Sequence, residues 1–328
     1  MTTLVIATDE AGYGPKLGPL VIAATSWSLP SDQDPGSQFD SFSGSTKIGD
    51  HQVAVADSKT VFQPSKPGGL DALHAVVSAC RHWIGIDPDD SGDSRWLRQL
   101  VAAEDLIGLD EAAWLDLGYA KPVLPRGDVA ESIRRWSSSG VQLTAHAVRL
   151  LTARRMNEFF DQSGNKSDLL SESTLGLVRG LLDDFVGENT AADGNSPLSV
   201  HVYCDRHGGR RYYAGVIQHC FDEAEIQIVR ESSSQSSYAL SGEGWEGQVH
   251  FTVKGDRFAP VSMSSLIAKY VREVAMSSLN DYFAAKHVGD QPLKRTAGYP
   301  VDADRFLTDI QPIMDKEKID QSQLIRRR

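Results

Sequence analysis

Three aspartates stand where short runs of apolar residues give out: Asp9 after residues 4–8, Asp205 after residues 200–204 and Asp256 after residues 251–254. Each run is rich in branched or aromatic side chains and reads as a strand. Strand ends are where an α/β sheet gathers its binding groups. Glu10 adds a carboxylate directly beside Asp9. Carboxylates brought together repel one another until a cation neutralises them, and a set made only of oxygens suits Mg2+ or Mn2+. Two such ions can activate a water and stabilise the oxygen that leaves a phosphodiester. Taken singly, the same acids also suit helix caps and turns, and composition alone leaves that reading open.

The elements that must position these acids follow from hydrophobic spacing. Neighbours on a strand point to opposite faces, so Asp9 and Glu10 serve one site only if the chain bends there, and Gly12 and Gly14 supply a bend. The same glycines would let backbone amides approach a phosphate or sugar. Strands are expected at 4–8, 19–25, 53–56, 141–148, 198–204 and 249–254. Helices are expected at 70–85, 151–160, 169–186, 261–283 and 302–314. This alternation predicts an α/β class with a mixed sheet. Residues 31–51 read as a polar surface loop without core, 187–197 as a polar linker and 232–245 as a Ser/Gly-rich insertion. Residues 96–136 carry aromatics, acids and prolines in no assignable period, and Gly298-Tyr299-Pro300 marks a turn. The closing Arg326-Arg327-Arg328 reads as a solvated tail.

The 328 residues, 41% hydrophobic and 23% charged, suffice for one large domain or two modest ones. A net charge of -11 runs against nucleic-acid binding unless a local basic strip exists, for which Arg206, Arg210, Arg211, Lys254, Lys269 and Arg272 are the candidates. Cys80, Cys204 and Cys220 are too scattered for a disulfide framework or a zinc site and fit a reducing cytoplasm. No leader-like start and no run of about 18 apolar residues occur, so a soluble chain without a membrane partner is expected.

Asp9-Glu10-Ala11-Gly12-Tyr13-Gly14-Pro15, with Gly18-Pro19 following, resembles the opening motif DEAGRGP of ribonuclease HII, a type 2 ribonuclease H. Further segments match in the same order. Asp57-Ser58-Lys59 is similar to the family's DSK segment, the stretch after Asn165 to its helical region, and Cys204-Asp205 to its strand-end aspartate. Lys254-Gly255-Asp256 matches its KGD, residues 264–272 its ASI-AK-RD helix, and Gly298-Tyr299-Pro300 its GYP turn.

The resemblance implies a ribonuclease H-like mixed sheet flanked by helices, in one domain over residues 1–328. Insertions atypical of the family then fall at about 66–140 and 222–248, and a C-terminal helical region at about 284–328. It implies that Asp9, Glu10, Asp205 and Asp256 are catalytic carboxylates holding Mg2+ or Mn2+. Gly12, Tyr13, Gly14, Ser58, Lys59, Lys269 and Tyr299 would contact the substrate, an RNA/DNA hybrid or a DNA duplex with embedded ribonucleotides. Two positions depart from the pattern. Tyr13 stands where the family's loop has arginine, so the loop can stack and donate one hydrogen bond but cannot grip a phosphate bidentately. Arg206-His207 follows Asp205 where the family has a small residue. The alternative is a catalytically altered module that binds nucleic acid or protein on the same fold.

Overall fold

Apolar residues run unbroken through 4–7 and 20–24, and in the computed structural model those runs become a hairpin covered on both faces. The structure describes residues 2–30, 35–62, 68–86, 94–162, 164–189 and 197–327. β1 (Thr2–Ala11) and β2 (Leu20–Pro30) pair antiparallel. Val5, Val21, Ala23 and Trp27 enter one apolar cluster, while Leu4, Ile6, Leu20 and Ile22 enter another on the opposite side. β3 (Ser45–Ile48) and β4 (His51–Ala54) form a separate small hairpin. β5 (Gln142–Leu151), β6 (Leu198–Asp205), β7 (Glu225–Glu231), β8 (Gln235–Gly242) and β9 (Trp245–Thr252) complete a sheet ordered β5-β2-β1-β6-β9-β8-β7. β6 runs parallel to β1 and β9 while the other neighbours are antiparallel, so the sheet is mixed, as expected.

α1 (Pro35–Gln38), α2 (Ser58–Val61), α3 (Gly69–Trp83), α4 (Ala103–Asp110) and α5 (Arg126–Trp136) precede β5 in the chain. α6 (Ala153–Asp161) and α7 (Lys166–Asn189) link β5 to β6, and α8 (Ala214–Cys220) follows β6. α9 (Ala259–Lys286), α10 (Pro300–Glu317) and α11 (Gln321–Leu324) come after β9. Pro260 opens α9 in the first turn, where its missing N–H breaks no helical bond. Leu266, Ile267, Val271 and Phe283 then bury against the hairpin and α3, each adding roughly 1.5–3 kcal/mol. α7 covers the other face with Leu170, Leu175, Val178 and Leu182.

Several expectations are corrected. Residues 35–48 are core rather than loop: Phe39 and Phe42 meet Trp27 edge-on at 5.4 and 5.6 Å, and Ile48 is buried. The aperiodic stretch 96–136 buries Trp96, Trp114 and Trp136 in the same cluster, its short helical turns having hidden any single period. Most of the expected insertion at 232–245 is β8, paired between β7 and β9 with Tyr238 wholly buried. Arg326 is buried, not solvated, because backbone carbonyls of the segment after β1 receive its guanidinium. Residues 31–34, 66–67, 87–93, 190–196 and Arg328, on which parts of the expected loop, insertions, linker and tail fall, lie outside the described residues. No helix among the described residues is long and apolar enough to cross a membrane.

Candidate active site

β1 continues straight through the acidic pair, with Asp9 opposite Ala23 and Glu10 opposite Ile22 on β2. The bend comes at Gly12, whose φ is 89°, just beyond the acidic pair, while Gly14 is not among the positive-φ residues. Consecutive strand residues take opposite faces, so Asp9 shares the face of Val5 and α9, while Glu10 shares that of Leu4 and Ile6. The Glu10 amide donates to the Asp9 Oδ1 at 2.8 Å, and on the α9 side Ser265, whose hydroxyl pairs with that of Ser58 at 3.1 Å, faces the Asp9 carboxylate. Parallel pairing sets Thr8 level with Cys204, so Asp9 and Asp205 stand side by side on adjacent strands.

Asp205 closes β6, and its Oδ1 accepts the Gly255 amide at 2.8 Å. Lys254 turns the chain with φ 61°, and a Cβ on Gly255 would lie 3.2 Å from the Asp205 Cα. Glycine thus lets the turn press against β6 and carry Asp256 to the rim of the same site. The Ser262 hydroxyl at the start of α9 donates to the Asp256 carbonyl at 2.5 Å, tying that turn to the helix.

The acids feel one another as charges. Burial raises the Asp9 carboxyl to about 7, with Asp205 and Asp256 adding to the rise and Ser265 opposing it. Burial also lifts Glu10 well above the usual carboxylate range, reinforced by Asp9 and Asp205. At Asp256 burial is again the largest cause, followed by the charges of Asp57 and Asp205. Asp57 was not singled out from the sequence, although it opens the Asp57-Ser58-Lys59 segment. It caps α2 by accepting the Lys59 amide at 2.9 Å. The Lys59 ammonium opposes the rise at both Glu10 and Asp256.

Among the described residues no three His, Cys, Asp or Glu side chains are gathered closely enough to hold an ion as they stand. Strand parity supplies the reason, since Asp9 and Asp205 share a face while Glu10 occupies the other and Asp256 sits on a separate turn. In kind, the set fits a hard divalent cation: its donors are all oxygens, and their mutual repulsion is what a cation would relieve.

A groove of about 920 Å3 opens beside Asp205 and Asp256, walled by Phe39, Phe42, Lys59 and Arg206. Asp9 and Glu10 do not line it. Ser58 is buried behind Asp9, whereas Lys59 is exposed at the groove wall. Tyr13 is half-buried with the Lys166 ammonium 4.7 Å over its ring. Tyr299 is 57% exposed and lies next to Gly14, where a Cβ would meet its ring at 3.7 Å. Lys269 is paired with Glu273 at 2.6 Å and lies over the Phe62 ring.

The six-residue basic strip does not form as expected. Arg272 is buried, Arg210 is paired with Asp168, Lys269 with Glu273, and Arg206 donates to the Ser232 and Ser233 carbonyls. His207, the second residue after Asp205, is buried: it packs against Tyr213 and Phe251, meets the Ser171 hydroxyl at 2.9 Å, and burial drives it down to about 3.

No family model and no curated protein matches the sequence. Among solved structures the chain is similar to Bst-RNase HIII in complex with Mn2+, at 16% identity and a TM-score of 0.38. That likeness covers 99% of this chain and 66% of the other, so the chain spans just under two thirds of its length. It is also similar to the PCNA:RNase HII complex from Archaeoglobus fulgidus, at 14% identity and TM-score 0.41, over 99% of this chain and 94% of that one. The ribonuclease H2 of Pyrococcus horikoshii OT3 is similar at 15% identity and TM-score 0.40, over 98% and 92%.

Proposed function

We propose that the chain is a metal-dependent endonuclease that cuts RNA strands or embedded ribonucleotides in RNA/DNA duplexes, built as one ribonuclease H-like domain. The observation that carries the reading is the shared field of Asp9, Glu10, Asp205 and Asp256, the last two of which line an open groove. These four carboxylates are the ones that would hold Mg2+ or Mn2+. Bound there, the ions would supply positive charge for the attacking water and the leaving oxygen. The chain does the rest. The Glu10 amide orients Asp9 and the Gly255 amide orients Asp205, so both carboxylates are aimed before any ligand arrives. Lys59, on the groove wall, takes a phosphate, and the Gly12–Gly14 turn offers amides to the next one. Tyr13 and Tyr299 present ring faces to sugars at the junction of RNA and DNA. The free thiols of Cys80, Cys204 and Cys220 support a reducing compartment such as the cytoplasm.

The test is cleavage of a DNA duplex carrying ribonucleotides, with Mg2+ or Mn2+ and with Asp9→Asn and Asp205→Asn as controls. Failure of the intact protein to cut sinks the reading. The absence of a preassembled three-ligand cluster among the described residues favours a second reading, a nucleic-acid- or protein-binding module on the same fold. Titration calorimetry separates the two, because a binding module has no reason to take up ions that Asp205→Asn abolishes.

A further inference from the structure

Arg326 lies just after α11 and is 5% exposed. Its Nε donates to the Gly18 carbonyl at 2.7 Å, and its Nη1 to the carbonyls of Gly12 at 2.5 Å and Pro15 at 3.3 Å. Its amide donates to the Lys16 carbonyl at 3.1 Å, and Ile325 bridges to Leu17. The segment is itself anchored. Asn157 of α6 donates to the carbonyls of Ser322 and Ile325 and accepts the Arg327 amide, while Arg327 pairs with Asp161 at 2.6 Å.

A buried guanidinium ordinarily finds a carboxylate, since burying a charge without one is costly. Among the described residues Arg326 has none, and its Nη2 is buried without a partner. The charge is therefore kept in place by carbonyls of a single loop. Peptide planarity turns this into a statement about amides. In a trans peptide the C=O and the next N–H point in opposite directions, so a Gly12 carbonyl fixed on Arg326 aims the Tyr13 amide the other way. The amides of Tyr13 and Gly14 donate to no backbone carbonyl among the described residues.

We propose that Arg326 is a positioning residue for substrate: by holding the Gly12 carbonyl it presents the Tyr13 amide to a phosphate of the bound strand, while its bonds to the Pro15 and Gly18 carbonyls keep the turn in place. The proposal rests on the nuclease reading above. The guanidinium also sets a positive charge behind a turn whose own central residue, Tyr13, carries none.

Arg326→Met tests it in the full chain, with Arg326→Lys as the milder change and Arg134→Met, in an exposed pair with Glu131 on α5, as the control. Amide hydrogen exchange without substrate reads the loop directly. Exchange over residues 12–18 is expected to speed roughly tenfold in Arg326→Met while β1 and α9 keep their protection. With a ribonucleotide-containing duplex, KM is expected to rise about tenfold with kcat held within about twofold. Arg326→Lys should fall between, and Arg134→Met should match the intact chain. If Arg326→Met does not fold, Arg326→Lys carries the same readings. Unchanged loop exchange in a folded variant overturns the proposal, as does a fall in kcat with KM unchanged. If the intact chain cuts no duplex, the nuclease reading falls, and the exchange measurement still decides whether Arg326 fixes the loop.

Discussion

Two alanine substitutions two residues apart should behave very differently, and the turn after β1 says by how much. At Gly12, φ is 89°, a conformation that costs a side-chain-bearing residue about 1–2 kcal/mol. A Cβ there would also lie 2.5 Å from the Arg272 Nε and 2.7 Å from the Pro19 carbonyl oxygen. Arg272 is buried and Pro19 contributes backbone, so neither swings aside, and overpacking adds about 1–3 kcal/mol. Gly12→Ala is therefore expected to destabilise by about 2–5 kcal/mol. Gly14 is not among the residues with positive φ, and a Cβ there meets only the Tyr299 ring at 3.7 Å, an ordinary contact. Gly14→Ala is expected to change stability by about 0.5 kcal/mol or less. Urea unfolding of both variants, read as a midpoint shift at constant m-value, makes the comparison. A Gly12→Ala chain as stable as Gly14→Ala refutes the geometry of the turn, and with it the positioning of amides for substrate.

Without divalent ions, the Asp9 carboxyl binds its proton more tightly in the folded state, rising from 3.8 to about 7. Its contribution to stability is present below pH 3.8 and is lost as pH climbs through about 7. Asp9→Asn should flatten that slope and, in chelator near pH 8, exceed the intact chain by about 2 kcal/mol, roughly half the full effect because the neighbouring acids remain. Parallel unfolding curves across the range refute it. Mn2+ at about 100 times its Kd should stabilise the intact chain by about 2.7 kcal/mol and Asp9→Asn far less, and an equal thermal shift would remove Asp9 as a ligand. His207, lowered from 6.5 to about 3 by burial, contributes stability above pH 6.5 that is lost as pH falls toward 3. His207→Gln should weaken that acid sensitivity, measured by the same unfolding series. Phe42→Ala should cost about 3–5 kcal/mol, since the ring stacks on Trp136 at 5.5 Å and meets Trp27. A surface-like loss of a few tenths of a kcal/mol would return residues 35–48 to the loop expected from their composition.

The sheet was legible where its code is local. Unbroken apolar runs mark β1 and β2 and period-two alternation marks β6, and Asp9 and Asp205 stand at or near the ends of such elements. What composition obscured is core built from aromatics in short turns. Phe39, Phe42 and Trp136 pack with Trp27, but no single spacing links them. Polar content likewise hid β8, because Ser236 and Ser237 are buried while Tyr238 fills the core. Arg326 was unreadable for a different reason. It touches carbonyls of Gly12, Pro15 and Gly18, and a backbone acceptor leaves no trace in residue type. At the site itself the bend falls at Gly12, past Asp9 and Glu10, so the strand keeps the pair on opposite faces.

That separation governs how a ligand can arrive. With Asp9 and Asp205 on one side of the sheet and Glu10 on the other, a flat molecule laid on either surface would meet only part of the acidic set. The place all of them can reach is the tip of the strands, where β1 and β6 end and the 255–257 turn closes over them. A rod-shaped ligand must therefore be met end-on, its axis crossing the strand tips. Each acid would then address the passing backbone from a different side, as rollers address a cable.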